Sequence, residues 1–198
     1  MAKKDERSTA TSYEVTIGGQ TFVQTERDGV QRLEIHDHVD MVTMLVIQLG
    51  GAETQPAWNF NIGDPVECSL GKGEEPIFKG EVTAIEPSYE VSGITSMTIR
   101  AFDHMHRLGR GRKTRYWSLR LDSQVVEEVG AECGLAVEAD GTSQIRGYIL
   151  QRNESNIAFL KRLAARNNFI LRVEKDFLIF KKPTFEGETR EIKMGESL

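Results

Sequence analysis

Residues 148–183 read "YILQRNESNIAFLKRLAARNNFILRVEKDFLIFKKP", and their ordering decides the fold of the C-terminal half. The first residues lead in as a strand. The segment 153–168 then places Ile157, Leu160, Leu163 and Ala164 at helical spacing, with Phe159 at the edge of the stripe. Asn153 is the expected N-cap, Glu154 complements the N-terminal dipole, and Asn167-Asn168 stop the helix. "FILRVEKDFLIFKKP" follows as two strands turning on Lys175-Asp176. The stretch is rich in folding signals, yet it holds no nucleophile with its base and no ligand cluster.

Upstream, "LDSQVVEEVGAECGL" (121–135) repeats the plan. Asp122 or Ser123 is the expected N-cap. Val125, Val126, Val129 and Cys133 form one stripe, and Gly134 is placed to end the helix. The C-terminal module therefore reads as two helices with a few strands.

Before residue 104 the punctuation changes to that of β structure. "YEVTIGGQTFVQTE" predicts a hairpin on Gly18-Gly19. "MVTMLVIQL" (41–49) is a nearly continuous apolar run, suited to a strand buried on both faces or gripped by a partner. "IFKGEVTAIEPSYE" predicts one long strand, interrupted or bent at Pro87. In "GITSMTIRAFD", Met97, Ile99 and Ala101 share a face. Several strands with short turns predict a small antiparallel barrel or sandwich. The expected fold class is α+β: a disordered tail over 1–12, a β-barrel over 13–106, an α/β module over 107–183, and a closing stretch 184–198 that reads as the lead into something further.

Composition bounds the functional classes. Of the 198 residues, 39% are hydrophobic and 28% charged, as in a soluble globular protein. No apolar run is long enough to cross a membrane, and the polar N-terminus is not a signal peptide. Cys68 and Cys133 read as small apolar residues of a reducing compartment, with a disulfide as the minor alternative. The net charge of −5 is split: residues 1–106 carry 8 basic and 17 acidic residues (−9), residues 107–198 carry 17 and 13 (+4). This argues for two modules in different surroundings and against a general nucleic-acid binder.

Three sets of residues bear on chemistry. His36 with His38, and His104 with His106, would share a face if each pair lay on a strand, offering imidazoles to a metal. A metal-assisted hydrolase is thus one alternative, though no metal motif supports it. Glu127-Glu128 and Glu74-Glu75 fall on an expected helix face and turn, and Met41, Met44 and Met97 read as core filling. "RLGRGRKTR" (107–115) holds five basic residues in nine and reads first as a face for an acidic neighbour, then as a solvated connector, and last as a nucleic-acid or phosphate site, since no aromatic residues are interleaved. A cell-wall glycan-binding module is the other alternative, with Trp117 as its platform; Tyr116-Trp117 reads more simply as packing under the first helix. No catalytic residue and no cofactor is expected.

The residues Asp103, Leu108 and Arg110-Gly111-Arg112-Lys113-Thr114-Arg115, the helix 125–133 ending at Gly134-Leu135, and Gln151-x-Asn153-Glu154-Ser155 leading to Phe159-Leu160-x-Arg162-Leu163-Ala164 together resemble the phage late-control gene D family. That family includes tail-hub proteins of contractile phages and the valine-glycine-repeat spike proteins of type VI secretion. The resemblance is strong over about 100–183 and weaker over 13–99. It implies a structural hub that adapts a sixfold inner tube to a threefold spike, made in the cytoplasm and then built into a particle. The implied partners are further copies of itself in a homotrimer, the inner tube protein, the spike tip and baseplate wedge proteins, with no nucleic-acid specificity and no membrane insertion. Family members are longer, and "EIKMGESL" is similar to the lead into their second barrel. Arg110, Arg112, Lys113 and Arg115, with Met44 and Val46 on the apolar strand, are the expected interface residues.

Overall fold

The computed structural model describes residues 12–23, 29–38, 41–50, 58–71, 73–90, 93–174 and 176–184. The expected tail, most of the closing stretch and Lys175 of the expected turn lie outside them.

The first module is one antiparallel sheet of seven strands: β1 (Tyr13–Ile17), β2 (Gln20–Val23), β3 (Val30–His36), β4 (Met44–Gly50), β5 (Pro65–Leu70), β6 (Phe78–Glu90) and β7 (Gly93–Asp103). Their spatial order is β2-β1-β5-β6-β7-β4-β3. The sheet curls into a half-barrel, and among the described residues no pair joins its edges β2 and β3. Gly18 and Gly19 both take positive φ, 56° and 87°, which the two-residue turn between β1 and β2 requires. Period-two alternation builds the core. Leu45, Ile47 and Leu49 of β4 pair with Ala101, Ile99 and Met97 of β7, and all six are buried. The apolar run 41–49 is therefore buried on one face only. Met44 and Val46 lie half-buried on the other, while Met41, expected in the core, is exposed. β6 remains one strand of 13 residues; register shifts after Val82 and after Ser88, the latter beside Pro87, supply the expected bend.

The second module starts with a 3-10 helix, His104–Gly109, capped by Asp103, whose carboxylate accepts from the Met105 N–H. Then come β8 (Lys113–Trp117), α1 (Asp122–Glu132), β9 (Ala136–Ala139), β10 (Ile149–Glu154), α2 (Asn156–Asn167), β11 (Ile170–Glu174) and β12 (Phe177–Lys181). β8 and β10 form an antiparallel ribbon. β11 and β12 form the expected hairpin, and β12 also runs parallel to β9. The valines of α1 and Phe159, Leu160 and Leu163 of α2 meet Leu178 and Phe180 in a second core. Fold class is thus α+β.

The helix termini differ from the sequence expectation. Leu121 occupies the N-cap of α1, because the Asp122 carboxylate is turned inward to Arg166 and Asn167. Ser155, not Asn153, caps α2: its hydroxyl accepts from the Ala158 N–H at 3.3 Å. Asn153 sits in left-handed backbone (φ 46°) within the bulge of β10. Phe159 is fully buried and Ile157 only partly, the reverse of the expected order, because Phe159 stacks on Trp117 with centroids 5.3 Å apart. The stop at Asn168 holds, in left-handed geometry.

Candidate functional site

The basic stretch expected at an interface folds back on its own chain. Arg107 Nη2 donates to Glu81 Oε2 at 2.8 Å, and Arg110 Nη2 donates to Oε1 at 2.9 Å. His106 Nε2 stands 2.9 Å from the same Oε1, while its Nδ1 faces the Asp103 carbonyl at 2.7 Å. Glu81 lies on β6 and is almost buried, so one carboxylate pins the half-barrel to the 3-10 helix of the second module. The Arg107 hydrogen bond, outweighing desolvation, holds its carboxyl below the usual carboxylate value. A second joint lies nearby. Asp176, after β11, is 3.2 Å from His104 Nδ1 and 3.8 Å from Lys79 Nζ of β6. Burial, then the neighbouring Arg107 charge, pushes His104 below its ordinary pKa.

Further along, Lys113 and Arg115 both reach Glu132 at the end of α1, at 2.9 and 2.6 Å. Arg115 also donates to Gln151 Oε1 at 2.7 Å, and its guanidinium lies 4.7 Å from the Trp117 ring centre. Gln151 is fully buried and donates in turn to Asn156 Oδ1 and the Glu154 carbonyl, which shapes the bulge before α2. Of the four basic residues expected to meet a neighbour, only Arg112 is exposed with no ion-pair partner among the described residues. Met44 and Val46 lie on the outer sheet face one strand in from the β3 edge, between His36 and Glu34 of β3 and Phe102 and Arg100 of β7.

The structure does not bring the four histidines together. His104 and His106 lie on a 3-10 helix, where residues two apart diverge, and bond Asp176 and Glu81 respectively. His36 meets Glu34 at 3.3 Å. His38 lines a cleft of about 620 Å³ with Asp37, Met41, Ile77, Phe78 and Asp103. Asp103 in that cleft is pushed above its ordinary pKa by burial, but its two oxygens are already taken by the Thr43 and Met105 N–H groups. Among the described residues no three His, Cys, Asp or Glu side chains converge to hold a metal. No helix among them is long and apolar enough to cross a membrane. Trp117 is buried, with Nε1 donating to Glu128 at 2.8 Å. Tyr116, expected to pack beneath α1, is instead exposed and stacked on Tyr148 at 5.3 Å.

Sequence reasoning missed Glu81, and it named Asp122 and Gln151 without their buried tethering roles. Asp122 is fully buried and accepts from Arg166 Nε and Asn167 Nδ2, each at 2.7 Å, so it ties the start of α1 to the end of α2. The available signal was the excess of cations over 107–115, which needed acidic partners somewhere in the fold.

A search of curated protein sequences finds no match. Solved structures do match the fold. The 43 kDa tail protein of prophage MuSo2 from Shewanella oneidensis superposes with a TM-score of 0.72 at 14% identity, over 88% of this chain and 56% of that one. A tail protein from Neisseria meningitidis MC58 gives 0.64 at 14% identity, over 85% and 49%. An E. coli protein described as a component of the type VI secretion system, with structural similarity to T4 bacteriophage tail proteins gp27 and gp5, gives 0.62 at 14% identity, over 84% and 48%. The chain thus spans about half the length of these structures. The half-barrel and the module pinned to it together make the fold these tail proteins share, and a family model described as the Alg8 N-terminal domain matches residues 7–198, so the chain belongs to the Alg8 N-terminal domain family.

Proposed function

We propose that this chain is a structural component of a contractile injection system or phage tail baseplate, the hub or spike base that adapts a sixfold inner tube to a threefold spike. The observation that carries the reading is the joint superposition of both modules, in one chain order, on tail proteins over 84–88% of the chain. The local chemistry agrees with a part selected for shape. Of the charges of 106–115, His106, Arg107 and Arg110 fix one module against the other through Glu81, while Lys113 and Arg115 brace the second module internally through Glu132, as a rigid adaptor needs. Three copies assembled about one axis would supply the threefold body of such an adaptor.

The test is composition and position within a particle. An affinity-tagged chain expressed in its native host should sediment with sheath and tube subunits, and averaged electron micrographs should place it on the axis beneath the tube. A chain that stays in the soluble fraction, absent from sheathed particles, would overturn the reading.

A further inference from the structure

The β8–β10 ribbon turns Trp117, Ile149 and Gln151 inward and leaves a second face outside. That face is aromatic and cationic. Tyr116 and Tyr148 stack on each other while remaining 64% and 59% exposed. Beyond them Leu119 stands 76% exposed in left-handed backbone (φ 53°), a conformation unfavourable for leucine, with exposed Ile145 next to the isolated Arg120–Arg146 bridge. Arg112, Arg120 and Arg152 are exposed on the same ribbon and its flanks, and none has an ion-pair partner among the described residues. An apolar patch rimmed by unpaired guanidinium groups calls for an apolar group flanked by carboxylates.

The chain offers such a surface on its other module. The β5–β6 turn exposes Glu74 and Glu75, with Leu70 and Ile77, 47% and 53% exposed, on either side. It projects from the half whose sequence carries −9, whereas the ribbon belongs to the half carrying +4. Each surface is fixed in its own module: the turn by the Ile77 N–H donating to the Cys68 carbonyl, the ribbon by its ladder.

We propose that the outer face of the β8–β10 ribbon in one copy receives the β5–β6 turn of the next copy, with Tyr116 and Tyr148 covering Leu70 and Ile77 and the arginines meeting Glu74 and Glu75. The contact is head-to-tail, so it generates a ring when the rotation closes. Only the number of copies in that ring rests on the hub reading.

The experiment is sedimentation velocity of the 198-residue chain across concentration and salt. The wild type should self-associate, less so at high salt. Arg120→Glu with Arg152→Glu, or Glu74→Lys with Glu75→Lys, should each weaken association about tenfold or more, and Tyr116→Ala with Tyr148→Ala should abolish it. All of these positions are exposed, and circular dichroism checks that each variant folds. In an equimolar mixture of the two charge-reversed variants both unlike contacts are matched, reversed ribbon to reversed turn and native ribbon to native turn, so association should exceed that of either variant alone. A wild type monomeric at every concentration overturns the proposal. So does association that ignores both reversals, or a monomer in which Tyr116 instead takes up single-stranded DNA or cell-wall glycan. A wild type that is monomeric yet built into particles would defeat this contact and leave the hub reading standing; a wild type that self-associates through these residues but is absent from particles would do the opposite.

Discussion

Glu81→Gln is the most informative single change, because it keeps volume and removes only the charge that joins the modules. The carboxylate side chain is 12% exposed, Arg107 26% and Arg110 67%. A fully buried pair broken on one side costs about 3–5 kcal/mol, and an exposed pair about 0–1 kcal/mol. The Arg107 contact lies nearer the first limit and the Arg110 contact nearer the second. We therefore expect a loss of about 2–3 kcal/mol near neutral pH, or about 5–10 °C in Tm for a chain of this size. Urea unfolding read by tryptophan fluorescence suits the question: Trp58 packs against the half-barrel core and Trp117 against the other. Replacing one tryptophan at a time should show the modules unfolding together in the parent and separately in Glu81→Gln.

The pH dependence gives an independent check. The folded carboxyl titrates below its ordinary value of 4.5, so its contribution is complete above that value and is lost as pH falls through the depressed one. The stability gap between parent and variant should narrow as pH falls below 4.5 and close once the depressed carboxyl is protonated. Asp103, shifted the other way by burial, is common to both proteins and cancels in the difference. A gap under about 0.5 kcal/mol, within the range of ordinary surface substitutions, would refute the pin, as would a gap that persists in acid.

Asp122→Ala should cost about 3 kcal/mol by thermal melting, since it strands Arg166 and leaves Arg146 Nε, already without a hydrogen bond, facing no carboxylate. Gly130→Ala should destabilise by about 1–3 kcal/mol, although helix propensity alone favours alanine by about 1 kcal/mol. An added Cβ would stand 2.4 Å from Val137 Cγ2 of β9, so a stabilised variant would show that the α1–β9 contact is looser than it looks. Under native conditions a thiol reagent should label Cys133 and spare Cys68, which is fully buried and whose thiol burial pushes up to about 11. Equal labelling at both would contradict that burial.

The division of the chain was legible because local periodicities differ. Alternation put Met97, Ile99 and Ala101 on one face of β7, and the 3.6-residue stripe put Val125, Val126 and Val129 on one face of α1. Helix starts were less legible. Asp122 has the chemistry of a cap, but a buried carboxylate beside Arg166 gains more from that partner than from a backbone N–H. The basic stretch was visible as charge, but its partners within the chain were not. Whether an arginine faces a neighbour or its own chain depends on where Glu81 and Glu132 arrive in space, from positions up to 29 residues away.

The sequence by itself determined two modules, their order, their element types and most of their buried stripes, because these follow from interactions within a few residues. Only the tertiary structure decided that the sheet is a curled half-barrel, that Glu81 and Asp122 are the acids the cations serve, and that Tyr116 turns outward while Trp117 turns in. These outcomes depend on which surfaces compete for the same volume and which opposite charges meet when distant strands are brought together, and neither is a property of any short stretch of chain.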